Sequence, residues 1–140
     1  MKLLSGVTTA SLIALAGLVP VTQAQDTLDE KLSGIKLPAG FSIEVYADKI
    51  ANPRQMALGA NGTVFVGSRG AGNVYAVVDT DGDFKADEVH TLLSKKTPLS
   101  NDIPVNMPNG VAVKDGALYV SDSEYIFRFD DIESKLDNPG

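Results

Sequence analysis

The chain has 140 residues, a formal net charge of −6 and no cysteine. The acidic balance argues against a protein that binds nucleic acid or anionic membranes through a broad basic surface. Without cysteine, the fold must be held together by core packing or by metal ions rather than by disulfides.

Residues 1–24 have the pattern of a secretory signal peptide. Lys2 provides the positive start, residues 3–19 are uncharged and mostly apolar, and Thr22 and Ala24 are the small residues that signal peptidase requires. We predict cleavage after Ala24 and export to the periplasm or the medium, with no stable membrane insertion afterwards. The alternative is an uncleaved membrane anchor. Its apolar stretch would be at the lower limit of a span and is interrupted by serine and threonine.

A polar linker and then a strand are predicted after the signal peptide. Residues 25–40 are polar and charged and end in a Pro-Ala-Gly sequence, which predicts a linker and a turn. Over residues 41–47, the apolar side chains of Phe41, Ile43 and Val45 alternate with more polar ones. This alternation predicts a half-buried strand.

The rest of the chain repeats one pattern at a spacing of 54 residues, seen between Gly62 and Gly116 and between Phe65 and Tyr119. Each copy has an apolar strand, a tight turn, a second strand with an aromatic residue at a fixed place, and a third strand. A self-similar all-β unit of this length is typical of β-propellers. We therefore predict an all-β fold, in which residues 41–140 form an incomplete β-propeller.

The predicted strands belong to two blades. The first blade covers residues 53–93, with strands at 55–58, 63–68, 74–79 and 88–93. The second covers residues 107–140, with strands at 111–114, 118–122 and 125–129, and with a short helix or a turn at 130–136. A propeller needs at least four blades, so we expect the chain to be the N-terminal portion of a longer protein. The alternative is a two-blade unit that assembles with copies of itself.

An acidic turn between the third and fourth strands is the sharpest local motif. Its carboxylates at relative positions 1, 3, 5 and 9 belong to Asp79, Asp81, Asp83 and Asp87. Carboxylates at such spacing can converge on one hard cation, as in calcium loops. The match to an EF-hand is incomplete, because Phe84 replaces its glycine and His90 replaces its glutamate. The motif predicts a structural calcium site, and the alternative is a solvated β-turn favoured by Asp-Gly.

The starts of the innermost strands are the second candidate site. In a propeller these strands line the central channel, so Arg54, Gln55 and Asn109 are predicted to line a ligand cleft. The alternative is that Asn109 serves a turn and Arg54 is a solvated rim charge. Arg69 is interpreted as a surface charge. His90 lies on an outermost strand, far from a channel, so we predict no catalytic residue within this chain.

Together these motifs resemble the sorbosone and soluble glucose dehydrogenase family over residues 35–137. The likeness lies in LPAGFSIEVYA at 37–47, RQMAL at 54–58, GTVFVGSR at 62–69, DTDGD at 79–83, PNGVA at 108–112 and DDIE at 130–133. No single motif carries the resemblance.

The resemblance implies a six-bladed propeller with pyrroloquinoline quinone (PQQ) and calcium in a central cleft. It implies a sugar or a related alcohol or aldehyde as substrate, and an external electron acceptor. The strand at 41–47 would pair into the last blade, and Arg54, Gln55 and Asn109 would line the cofactor cleft. The family's catalytic histidine and the basic residues that hold the quinone have no match here. Pro108 also stands where some relatives have glutamine, which puts one quinone contact in doubt.

Two other functions are compatible with the sequence. One is a lactonase-type propeller hydrolase that uses a central metal and no quinone. The other is a non-enzymatic recognition propeller in which calcium staples the acidic turn. Later blades would separate these functions, because histidine and arginine favour the dehydrogenase, while convergent Glu, Asn and Asp favour the hydrolase.

Overall fold

The structure, a computed structural model, describes residues 28, 30–96, 99 and 103–140. The predicted signal peptide lies outside the described residues. The chain divides after Glu44 into two compact units, and residues 30–33 of the first unit are helical. Within the described ranges, no helix has the length and apolar character that crossing a bilayer requires.

The second unit contains two antiparallel sheets. The first sheet has the order β1-β2-β3-β4, with β1 at Gln55–Leu58, β2 at Val64–Ser68, β3 at Asn73–Val78 and β4 at Glu88–Ser94. The second sheet has the order β5-β6-β7, with β5 at Gly110–Lys114, β6 at Ala117–Ser121 and β7 at Ile126–Phe129. A 3₁₀ helix, η1, follows at Ile132–Ser134.

The all-β prediction is confirmed. Each of the seven strands begins and ends within one residue of its predicted position. The strands are rich in valine, phenylalanine and tyrosine, which suit a pleated and largely buried surface. Of the two possibilities for residues 130–136, the structure has a short helix, η1.

Residues 41–47 form no strand in the structure, contrary to the sequence prediction. The side chains of Phe41 and Ile43 are 72% and 40% exposed. A strand requires a hydrogen-bonded ladder with a neighbour, and no described segment pairs with residues 41–47 in this way. The alternation of apolar residues is a property of this segment alone, and it does not show whether a neighbouring strand is present to pair with it.

The main core lies between the two sheets. One face of the first sheet contributes Phe65, Val74 and Ala76, and one face of the second contributes Leu118, Val120 and Phe129. The opposite face of the first sheet forms a smaller cluster around Val66, Tyr75 and Val77, covered by Tyr46, Ala47 and Ile50. Met56 and Leu58, which point to that same face, are 66% and 69% exposed.

The three strands of the second sheet correspond to β1, β2 and β3 of the first, but the spacing between equivalent residues is not constant. The second strands, β2 and β6, follow the 54-residue repeat, so that Gly67 corresponds to Ser121. In the ladders, Gln55 pairs with Gly67 and Gly110 pairs with Ser121. The inner strands, β1 and β5, are therefore offset by 55 residues.

The cause of this shift is a shorter connection in the second sheet. The β5–β6 turn is Asp115-Gly116, and both residues have positive φ, at 51° and 78°. This is the backbone of a tight two-residue hairpin. The shift makes Arg54, rather than Gln55, the structural counterpart of Asn109.

Candidate functional site

Each sheet has a corner where the chain enters the inner strand and leaves the second strand. We call residues 52–54 with 69–70 the first corner, and residues 106–109 with 121–123 the second corner. Because β5 and β6 correspond to β1 and β2, the two corners occupy equivalent places in their sheets.

The same hydrogen bond holds the residue in front of each inner strand. The backbone N–H of Arg54 donates to the carbonyl oxygen of Gly67 at 3.0 Å. The N–H of Asn109 donates to the carbonyl oxygen of Ser121, also at 3.0 Å. The repeat therefore places a polar side chain at the same position of both sheets.

The two sheets approach each other closely near these residues. A Cβ atom on Gly67 would lie 2.2 Å from the carbonyl oxygen of Asn109, so only glycine fits there. A Cβ atom on Gly110 would lie 3.4 Å from Oε1 of Gln55. Of the three predicted cleft residues, the structure thus brings Gln55 next to the segment that carries Asn109.

Asn109 presents an unusual polar atom. Its side-chain oxygen Oδ1 is buried and has no hydrogen-bond partner in the part of the chain that the structure describes. Leaving a buried acceptor unpaired costs about 1–3 kcal/mol. Such atoms are uncommon in folded proteins, and a water, an ion or a ligand group can complete their hydrogen bonding.

Asp122 holds the segment that carries Asn109. Its carboxylate accepts hydrogen bonds from the backbone N–H groups of Asn106 at 2.7 Å and Met107 at 3.0 Å. It also accepts from the N–H and the hydroxyl of Ser123. Partial burial opposes the charge, but the bonds from Met107, Asn106 and Ser123 together outweigh it and lower the pKa of Asp122. The second corner is therefore clamped by a carboxylate.

The first corner has the opposite charge. A cavity of about 280 Å³ is lined there by Asn52, Pro53, Arg54, Arg69 and Gly70. Arg69 is exposed, in agreement with its interpretation as a surface charge, and it lines this cavity together with Arg54. The signal for this shared lining was available in the repeat, because a residue after the second strand lies beside the residue before the inner strand of the same blade.

The acidic turn folds back on itself as a calcium loop does. Asp79, Asp81 and Asp87 each offer an oxygen, and these oxygens all lie within 4.8 Å of one another. The carboxylate of Asp79 accepts from the N–H groups of Gly82 at 2.7 Å and Phe84 at 3.0 Å. Three carboxylates within reach of one point fit a hard divalent cation.

Asp83 does not belong to this group. Its carboxylate instead accepts a hydrogen bond from the N–H of Lys85 at 2.8 Å. Phe84 has a φ of 66°, the left-handed conformation that the glycine of an EF-hand normally adopts. The residue type departs from the calcium-loop pattern, but the backbone conformation does not.

The charges in the turn affect neighbouring groups. Burial raises the pKa of the Tyr46 hydroxyl, and the negative charges of Asp79 and Asp87 add to this effect. Hydrogen bonds from the hydroxyl and N–H of Thr80 lower the pKa of Asp87. The turn is thus a local concentration of carboxylates, a setting that favours a bound cation.

His90 lies on β4, the strand of the first sheet farthest from β1. Its Nε2 is 3.0 Å from Oε2 of Glu88, and its Nδ1 is 2.9 Å from Oδ1 of Asp137. Both ring nitrogens are therefore engaged by carboxylates at the outer edge of the sheet, away from the two corners.

The sequence matches none of the protein-family models and none of the curated proteins with which it was compared.

Proposed function

We propose that this chain forms two blades at the N-terminus of a six-bladed β-propeller that acts as an exported, PQQ-dependent sugar dehydrogenase. The substrate class is an aldose or a related alcohol or aldehyde, and the electrons leave to an external acceptor. The sequence motifs described above support the family, and the meander order of the first sheet is consistent with a propeller blade.

One observation carries the proposal of a cleft. Successive sheets present a polar residue at the same place before the inner strand, and at the second of these places the oxygen Oδ1 of Asn109 is buried without a partner. In a propeller this position faces the central channel, where polar groups from neighbouring blades converge on a ligand.

The residues at the two corners fit a ligand with both donor and acceptor groups. Oδ1 of Asn109 can accept a hydrogen from a ligand N–H or hydroxyl, and Arg54 can donate to a carboxylate. When bound, the quinone would supply a two-electron acceptor for the alcohol or aldehyde. Asn109, Gln55 and Arg54 would bind and orient the ligand on this wall of the cleft.

Calcium is proposed at the acidic turn, held by Asp79, Asp81 and Asp87. Its role there is structural, because the turn joins β3 to β4 at a distance from the corners. A bound cation would neutralise the repulsion between the carboxylates and hold the hairpin in one conformation.

Dye-linked activity and ligand binding test the function together. The product of the complete reading frame, including any codons beyond Gly140, should reduce a dye with aldoses when PQQ and calcium are supplied. The 140-residue chain alone should show no such turnover, because its single histidine lies on β4. Turnover by the short chain would contradict the assignment of the chemistry to later blades.

Equilibrium dialysis with PQQ tests the cleft itself. In the complete protein, Asn109→Ala should weaken quinone binding, while Asn138→Ala, an exposed change near the end of the chain, should not. Hydrolysis of sugar lactones without quinone would favour the hydrolase instead. A complete protein that binds no quinone and turns over neither substrate would favour a recognition propeller.

A further inference from the structure

Two of the three arginines of this acidic chain line the same cavity. The guanidinium groups of Arg54 and Arg69 form no ion pair or hydrogen bond with any described residue. The third arginine, Arg128, is paired with Asp130 at 2.6 Å and lies over the ring of Tyr119. The first corner is thus a positive patch on a protein with a net charge of −6.

The backbone beneath both arginines is held in place. Arg54 follows Pro53, whose φ is restricted, and its N–H is bonded to Gly67. Arg69 follows Ser68, which is fully buried. The hydroxyl of Ser68 donates to the carbonyl of Asn73 at 2.8 Å and accepts from its N–H at 3.0 Å. Both side chains therefore start from a backbone that neighbouring hydrogen bonds hold in place.

The lining of the cavity contains no acidic residue. Its remaining residues are Asn52, Pro53 and Gly70, and a Cβ on Gly70 would lie 3.3 Å from Oδ1 of Asn52. Two positive charges that line one cavity both attract an anion that enters it. Arginine also matches the planar geometry of carboxylate and phosphate with paired hydrogen bonds.

We propose that Arg54 and Arg69 form a binding site for an oxyanion, the carboxylate or phosphate group of a small-molecule ligand. The site adds Arg69 to the wall of the proposed cleft and assigns that part of the wall to the anionic end of the ligand. It rests on the proposed function only for the cleft, because anion binding at the corner stands on the two arginines themselves.

The test is an NMR titration of the ¹⁵N-labelled chain, without calcium or quinone and at constant ionic strength. Succinate supplies the carboxylate and inorganic phosphate supplies the phosphate. The Nε–Hε signals of Arg54 and Arg69 should shift in a saturable way, while the signal of Arg128 should not. The anion that saturates at the lower concentration identifies the preferred group.

Variants separate specific binding from general charge effects. Arg54→Gln and Arg69→Gln should each weaken binding about tenfold, the loss expected for one charge-assisted bidentate contact. Arg128→Gln, which removes the same charge elsewhere, should leave the dissociation constant unchanged. All three arginines are exposed, so thermal melts should verify that each variant remains folded.

Shifts that stay linear in anion concentration and equal at all three arginines would overturn the proposal. So would unchanged binding in the Arg54→Gln, Arg69→Gln double variant. If the complete protein binds quinone but the corner binds neither anion, the proposed function survives and the oxyanion site does not. If the corner binds an anion but the complete protein binds no quinone, the oxyanion site survives and the proposed function does not.

Discussion

The two corners are equivalent in backbone and opposite in charge. Arg54 and Asn109 are held by the same N–H to carbonyl hydrogen bond of 3.0 Å. The first corner carries two arginines around an open cavity, whereas the carboxylate of Asp122 closes the second by binding its backbone. The repeat therefore supplies a common backbone frame. A few residues at the end of the second strand decide whether a corner binds its own loop or presents charge to a ligand.

The close contact between Gly67 and Asn109 should matter more for stability than the open cavity of the first corner. Gly67→Ala should reduce the free energy of unfolding by about 3 kcal/mol, because its Cβ would meet the carbonyl oxygen of Asn109 at 2.2 Å. Gly70→Ala is the control, since its nearest neighbour at 3.3 Å is a side chain that can move. Urea denaturation measures both variants. Equal losses would mean that the packing of the two sheets does not depend on this contact.

The two sheets also differ after their third strands. In the first sheet β3 is followed by the acidic turn, the proposed calcium site, whereas in the second sheet β7 is followed by η1. Calcium at about one hundred times its dissociation constant should stabilise the chain by about 2.7 kcal/mol. Thermal melts with calcium and with a chelator measure this gain. Asp79→Asn should remove it, while Asp83→Asn, outside the triad, should retain it. Coincident melts of the unmodified chain would show that the turn binds no calcium.

Asp122→Asn tests the clamp of the second corner. The variant should lose about 1–2 kcal/mol, because a neutral amide is a weaker acceptor for the N–H groups of Asn106 and Met107 and can turn its own donor towards them. Asp115→Asn removes the same charge at an exposed turn and tolerates positive φ, so it should cost little. Chemical denaturation at neutral pH compares the two. A loss no larger than that of Asp115→Asn would refute the clamp.

The pH dependence of stability sharpens the same test. The pKa of Asp122 is lower in the folded chain than its ordinary value of about 3.9. Its contribution is therefore fully present above about pH 4 and is lost as the pH falls through the lowered pKa. The stability difference between the unmodified chain and Asp122→Asn should be constant at neutral pH and shrink below about pH 4. A difference that grows on acidification would contradict this sign.

A hydrogen bond between η1 and the β1–β2 connection should contribute least to the stability of the chain. The carboxylate of Glu133 in η1 accepts from the N–H of Asn61, with its two oxygens at 3.1 and 3.2 Å. Glu133→Gln should cost about 0.5–1 kcal/mol, since one neutral acceptor remains. Glu124→Gln, an exposed change of the same type, is the control. If both variants melt at the temperature of the unmodified chain, Glu133 does not contribute to joining the sheets.

Prediction from the sequence succeeded where structure depends on neighbouring residues. Val64 to Ser68 reads as a strand from its own apolar, β-branched and aromatic composition, and Asp115-Gly116 reads as a tight turn from its own φ preferences. It failed at residues 41–47, because alternation does not provide a ladder partner. The calcium motif was partly predictable, since spacing brought Asp79, Asp81 and Asp87 together, but the hydrogen bond of Asp83 to Lys85 was not visible.

The all-β class, the strand positions and the acidic turn were predictable from the sequence, because they follow from local composition, turn chemistry and spacing. The correspondence of Arg54 with Asn109 follows instead from strand pairing, since a connection one residue shorter shifts the inner strand of the second sheet. The tertiary structure also decided that Arg69 joins Arg54 and that Asp122 holds Met107. These pairs are distant in sequence, and their contacts exist only where antiparallel strands bring a strand end beside a strand start.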